Sequence, residues 1–149
     1  MNQGHWFTSN IFEIAKGEDE ATNPACYGKN LAEWLCKEFQ SIGYANAEVI
    51  PEDWGWCVMC SNNEVMLWVG CGNVQTEELR NSYDPENPPK GNEVVWHVFP
   101  CAEVPIFRFV ALIKKLLGKI NVQQHTNKLA NELEQILKNE KSIRFCQEP

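Results

Sequence analysis

The chain has 149 residues, 44% of them hydrophobic and 11% aromatic, with 20 acidic against 13 basic side chains and a net charge of −7. That length holds one core of ordinary size, and this much apolar side chain excludes a disordered chain. The apolar stretch at residues 104–112 is about half of a membrane span and Arg108 interrupts it, so no spanning segment and no membrane partner are expected. The start Met1-Asn2-Gln3-Gly4-His5 has neither the basic opening nor the apolar run of a signal peptide, and a cytoplasmic location is expected.

In chain order, residues 6–14 read as a strand with Phe7, Ile11 and Phe12 as core members. An acidic loop, Gly17-Glu18-Asp19-Glu20, follows. Asn23-Pro24 predicts a helix start, with Asn as the cap and Pro at the first helical position. Tyr27, Leu31, Trp34, Leu35, Phe39 and Ile42 recur at three and four residues and form its inward face, and Gly43 closes the helix. Residues 47–50, 56–61 and 65–69 read as strands, with a hairpin turn at Ser61-Asn62-Asn63-Glu64. Residues 72–92, broken by Asp84-Pro85 and Asn87-Pro88-Pro89, predict a surface excursion. Residues 94–99 return as a strand with Val94, Trp96 and Val98 on one face. After Pro105, Ile106, Phe109, Val110, Ile113, Leu116 and Leu117 make a helical stripe expected to face inward. A second helix follows, with Val122, Leu129, Leu133, Ile136 and Leu137 inward and Lys128, Glu132 and Lys138 outward. The short joint between them predicts an antiparallel pair, and residues 143–146 a last strand. Residues 1–149 are thus expected to form a single α+β domain, a mainly antiparallel sheet covered by one N-terminal helix and a C-terminal helix pair.

The seven cysteines, Cys26, Cys36, Cys57, Cys60, Cys71, Cys101 and Cys146, are an odd number in mostly apolar segments. They are expected to be reduced thiols packed as small hydrophobes. Cys57-Val58-Met59-Cys60 matches the spacing of redox and zinc sites, but its flanks predict a strand, where residues three apart point to opposite faces. Gly70-Cys71-Gly72-Asn73 lacks the lysine of a phosphate loop and the third glycine of a dinucleotide fingerprint. Its glycines are expected to permit a tight turn at a strand end. Cys71 with one of the histidines, or a carboxylate pair, is all that an enzyme could be built on. No cofactor and no metal are expected.

Charge is unevenly spread: residues 1–103 carry 16 acidic and 5 basic side chains, residues 104–149 carry 4 and 8. An acidic surface repels nucleic acid and attracts a basic protein. Glu52-Asp53-Trp54-Gly55-Trp56 sets two carboxylates beside two tryptophans, residue types that suit an interface: Trp supplies area and acids pair with Arg or Lys. The competing expectation is that Trp54 and Trp56 share a face and belong to the core, and that Glu18, Asp19 and Glu20 are an ordinary solvated loop.

Phe7-Thr8-Ser9, Gly17-Glu18-Asp19-Glu20, Thr22-Asn23-Pro24, Glu52-Asp53-Trp54-Gly55-Trp56-Cys57-Val58-Met59 and Trp68-Val69-Gly70-Cys71-Gly72-Asn73 resemble segments of small bacterial cytosolic proteins. In size and composition such chains are similar to immunity partners of polymorphic toxins, including those of contact-dependent growth inhibition systems. The resemblance covers the first half of the chain and implies a non-enzymatic protein that binds and neutralises a cognate toxin domain, a basic nuclease for instance. Glu18, Asp19, Glu20, Glu52, Asp53, Trp54 and Trp56 are the expected partner-binding residues. A free-standing binding or housekeeping protein, or a small enzyme using Cys71 or a carboxylate pair, are the alternatives.

Overall fold

A computed structural model describes residues 4–105 and 107–149. Its strands are β1 (His5–Thr8), β2 (Glu48–Glu52), β3 (Gly55–Asn62), β4 (Met66–Asn73), β5 (Trp96–Glu103) and β6 (Arg144–Cys146). The helices are α1 (Lys29–Ser41), α2 (Glu77–Asn81), α3 (Phe109–Leu116) and α4 (Val122–Asn139), with 3-10 turns at Glu18–Ala21 and Gly91–Glu93. The strands form one sheet in the order β2-β3-β4-β5-β1-β6, with every neighbouring pair antiparallel. This is the expected single α+β domain, with an N-terminal helix and helices near the C-terminus.

Alternation along the strands divides the sheet into two unlike faces. Trp56, Val58 and Cys60 of β3, Val69 and Cys71 of β4, Trp96 and Val98 of β5 and Phe7 of β1 share one buried cluster. Leu31, Leu35 and Phe39 of α1, spaced four apart, and Leu129, Leu133, Ile136 and Leu137 of α4 complete it. α1 and α4 therefore lie on the same side of the sheet. The alternate residues, among them Cys57, Trp68, Gly70, His97 and Phe99, face the other way.

Several local expectations are corrected. β1 stops at Thr8, and Ile11 and Ile42 are exposed, whereas Phe7 and Phe12 are buried. α1 begins at Lys29 rather than beside Pro24, because residues 23–26 close a turn of their own, with Ala25 at φ 64° and the Cys26 N–H donating to the Asn23 carbonyl at 2.9 Å. Asn23 does not cap the helix; its side-chain amide donates to the Asp53 carbonyl at 2.8 Å. The excursion at 72–92 holds one helical turn and more, α2, capped by the Thr76 hydroxyl, which accepts from the Leu79 N–H at 3.0 Å. Gly70 and Gly72 lie within β4 and make no turn.

The largest correction concerns α3. Phe109, Val110, Ile113, Leu116 and Leu117, expected to face inward, are all exposed; Ile106 lies outside the described residues. Ala111 and Leu112 dock the helix instead, in a small cluster with Val65, Val104, Leu67 and Val122 near the β3–β4 turn. α4 behaves as expected, burying Leu129, Leu133, Ile136 and Leu137. Two matched substitutions separate the helices. Leu133→Asp, at a fully buried position, is expected to lower stability by about 3–5 kcal/mol. Leu116→Asp, at a side chain 85% exposed, is expected to stay within about 0.5 kcal/mol of the parent in urea denaturation.

Candidate interaction surface

The face of the sheet turned away from α1 and α4 carries a chain of rings. Trp6 of β1 stacks on His97 of β5, with centroids 4.5 Å apart and planes 8° from parallel. Phe99 lies 5.2 Å from His97 and 5.8 Å from Trp68 of β4. Trp54, in the β2–β3 turn, closes the row at 5.7 Å from Phe99 and 5.9 Å from Trp68. These offset and edge geometries are favourable for aromatic rings. The Phe99 ring lies over Gly70, its register partner on β4, where any Cβ would overlap the ring. Gly70 is thus the gap in the strand that lets the aromatic row lie on the sheet.

By register, Ile50 sits opposite Cys57 and Met59 opposite Trp68 on this same face. Glu48, Glu52 and Glu103 share it as the partners of Met59, Gly55 and Met66. Among the described residues no helix crosses these side chains, and none of the rings in the row belongs to a buried cluster. The result is a partly exposed aromatic surface, Trp54 its most exposed ring, with carboxylates around it.

Trp54 is 45% exposed at the tip of the two-residue Asp53-Trp54 turn. The turn is held closely. Gly55 adopts φ 153°, and a Cβ there would lie 2.6 Å from the Cys71 carbonyl oxygen, so only glycine lets the turn fold down on β4. The Asn23 amide bonded to the Asp53 carbonyl ties the turn to the 17–29 loop.

That loop is itself pinned from inside. Glu18 and Asp19 are each only 8% exposed. The Glu18 carboxylate accepts from the Ala15 and Gly28 N–H groups at 2.9 Å and from the Lys29 N–H at 3.4 Å, capping α1 from a distance in sequence. Asp19 accepts from the Ala25 N–H at 2.9 Å and the Tyr83 hydroxyl at 3.0 Å. The Asn73 side chain bridges the same loop, accepting from the Tyr27 N–H at 2.9 Å and donating to the Ala25 carbonyl at 3.1 Å. Glu18 and Asp19 therefore leave the set of partner-facing residues, because their carboxylates are occupied by the protein's own donors. Trp56 leaves it too: it is 5% exposed and packs in the core. Glu52, Asp53 and Trp54 remain together and exposed, and Glu20 is exposed on the neighbouring loop.

Trp6, Trp68, His97 and Phe99 were not singled out by sequence. The signal was present in β5, since placing Trp96 and Val98 inward forces His97 and Phe99 outward.

Cys57 and Cys71, the cysteines of the two sequence motifs, are buried. Cys57 and Cys60 occupy opposite faces of β3, and all seven thiols are free. Burial pushes the Cys57 thiol up to about 12, helped by nearby Glu52, and raises fully buried Cys71 well above the ordinary thiol value. Neither presents a thiolate at neutral pH. Among the described residues no three His, Cys, Asp or Glu side chains are grouped so as to hold a metal. Comparisons with protein-family models, with curated proteins and with solved structures give no match to this chain.

Two predictions test the packing of this face. Gly70→Ala drives a methyl into the Phe99 ring and is expected to cost about 1–3 kcal/mol, with part of the loss relieved when Phe99→Ala is added. The second concerns pH. Burial holds His97 and His5 below the ordinary value of 6.5. The unfolded chain therefore binds protons more readily, and stability present above pH 6.5 declines as pH falls through 6.5 toward the folded values. Urea denaturation at pH 7.5, 6.5 and 5.5 is expected to show that decline, flattened in the His5→Gln/His97→Gln variant.

Proposed function

We propose that the chain is an immunity protein that binds a cognate bacterial toxin domain in the cytosol, without catalysis, through the open face of its sheet. The observation that carries this reading is the uncovered row Trp6, His97, Phe99, Trp68 and Trp54 with carboxylates around it. Apolar rings left unroofed beside a well-packed core mark a surface that a partner covers. Glu20, Glu48, Glu52, Asp53 and Glu103 suit a basic partner, and the cleft with which a nuclease holds phosphates has that character. Trp54, half exposed on a turn fixed by Asn23 and Gly55, serves as the anchor. Its geometry is set before binding, so little ordering entropy is lost. The buried, protonated Cys71 supports the non-enzymatic side of the reading.

The test is binding kinetics with the toxin domain encoded beside this gene, together with rescue of cells expressing that domain. Reversing Glu52 and Asp53 to Lys is expected to slow association about tenfold at low salt, the gap closing at high salt as steering is screened. Trp54→Ala is expected to speed dissociation roughly thirtyfold, about 2 kcal/mol, with stability retained. Trp56→Ala is expected to act through folding alone. A neighbouring toxin domain that is neither bound nor neutralised overturns the function; kinetics untouched by both the Glu52/Asp53 reversal and Trp54→Ala overturn the face.

A further inference from the structure

α3 presents its apolar side outward. Phe107, Phe109, Val110, Ile113, Leu116 and Leu117 are exposed by more than half, Leu116 most of all, while Ala111 is the buried residue of the helix. The pattern is the reverse of an ordinary packed surface helix and exceeds the scattered apolar exposure that needs no explanation.

The charge carried by the segment around this ridge has one sign. No Asp or Glu occurs between Glu103 and Glu132, whereas Arg108, Lys114, Lys115, Lys119 and Lys128 all fall in that interval. Lys114 is paired with Glu64 at 2.5 Å, and Arg108 donates to Asn62. Lys115 and Lys119 stand exposed. Two copies meeting ridge to ridge would bring the exposed Lys115 and Lys119 of each toward those of the other, with Glu64 already taken by Lys114. From Phe107 to Leu117, moreover, no side chain can accept a hydrogen bond. Hydrogen-bond acceptors at this ridge must therefore come from its partner: acyl chains take the apolar side chains, and the phosphate oxygens of anionic headgroups take the flanking lysine donors.

We propose that α3 is a peripheral docking element that lays its apolar ridge into the surface of an anionic phospholipid bilayer. This differs from spanning, for which no helix among the described residues is long and apolar enough. The absence of a span is what the sequence expectation of no membrane partner rested on. The inference is independent of the toxin reading, because it uses none of the residues of the open sheet face.

Co-sedimentation of the full chain with vesicles of phosphatidylglycerol and phosphatidylcholine in equal parts, against phosphatidylcholine alone, tests it. At 0.1 M NaCl the expected result is at least tenfold stronger partitioning onto the anionic vesicles, falling as salt rises. Ile113→Ser/Leu116→Ser, at exposed positions, is expected to remove most of this binding with the circular dichroism spectrum unchanged. Lys115→Glu/Lys119→Glu is expected to remove the preference for anionic lipid, and Trp54→Ala to have no effect. Absence of binding, equal binding to both vesicles, or binding insensitive to both double variants overturns the proposal. So does a dimer in sedimentation velocity that dissociates on Leu116→Ser, which would assign the ridge to a second copy of this chain.

Discussion

A six-stranded sheet has two apolar-capable faces, and this chain has helices enough for one. α1 and α4 supply the side chains that close the inner face over Phe7, Trp56, Val58, Val69, Trp96 and Val98. Among the described residues the outer face has no such layer, so its large side chains cover one another. Trp6 lies on His97, Phe99 on the bare backbone of Gly70, and Trp54 folds down from the β2–β3 turn onto Phe99 and Trp68. Each ring pair adds about 0.5–1.5 kcal/mol beyond its burial, enough to hold the rings in place without hiding them. A surface that is both ordered and apolar follows from the shortage of helices.

The acidic loop at 17–29 is what lets that surface be ordered. A buried carboxylate is costly unless donors replace the water it loses. Glu18 receives backbone amides from both flanks of the loop, and Asp19 an amide and a tyrosine hydroxyl. Tyr27, buried near these carboxylates, has its hydroxyl pushed up to about 12. These bonds, with those of Asn73, fix the loop against β4, and Asn23 then holds the turn that carries Trp54. Glu18 and Asp19 bear on the surface only through the placement of other residues. A motif rich in chemistry-bearing side chains has here become a joint between the start of α1, the end of β4 and the β2–β3 hairpin.

What was legible in the sequence is what short-range periodicity encodes. The inward faces of α1 and α4, the opposite faces of Cys57 and Cys60 and the antiparallel α+β arrangement all follow from spacings of three, four and two residues. The start of α1 was not legible, because its cap is a carboxylate eleven residues before the first helical position and a local reading stops at Asn23-Pro24. The burial of Glu18 and Asp19 was hidden for the same reason. The direction of α3 was hidden more deeply. An apolar stripe states that one side of a helix avoids water, and it does not state whether the same chain, another chain or a lipid provides the cover. In β5 both faces are apolar, Trp96 and Val98 on one and Phe99 on the other, so alternation could not distinguish covered from open until the helices were placed.

The uneven charge of the two parts of the sequence acquires a spatial meaning along β3. The β2–β3 turn, with Glu52, Asp53 and Trp54, stands at the start of that strand. The β3–β4 turn, where Glu64 meets Lys114 of α3 and Val65 packs on Ala111, stands at its end. Eight residues of strand at about 3.3 Å each set these turns about 25 Å apart. That exceeds twice the screening length of about 10 Å at 0.1 M salt. Glu52 and Asp53 are therefore screened from the lysines beside the α3 ridge, whereas Glu103, the register partner of Met66, lies at the α3 end of the sheet.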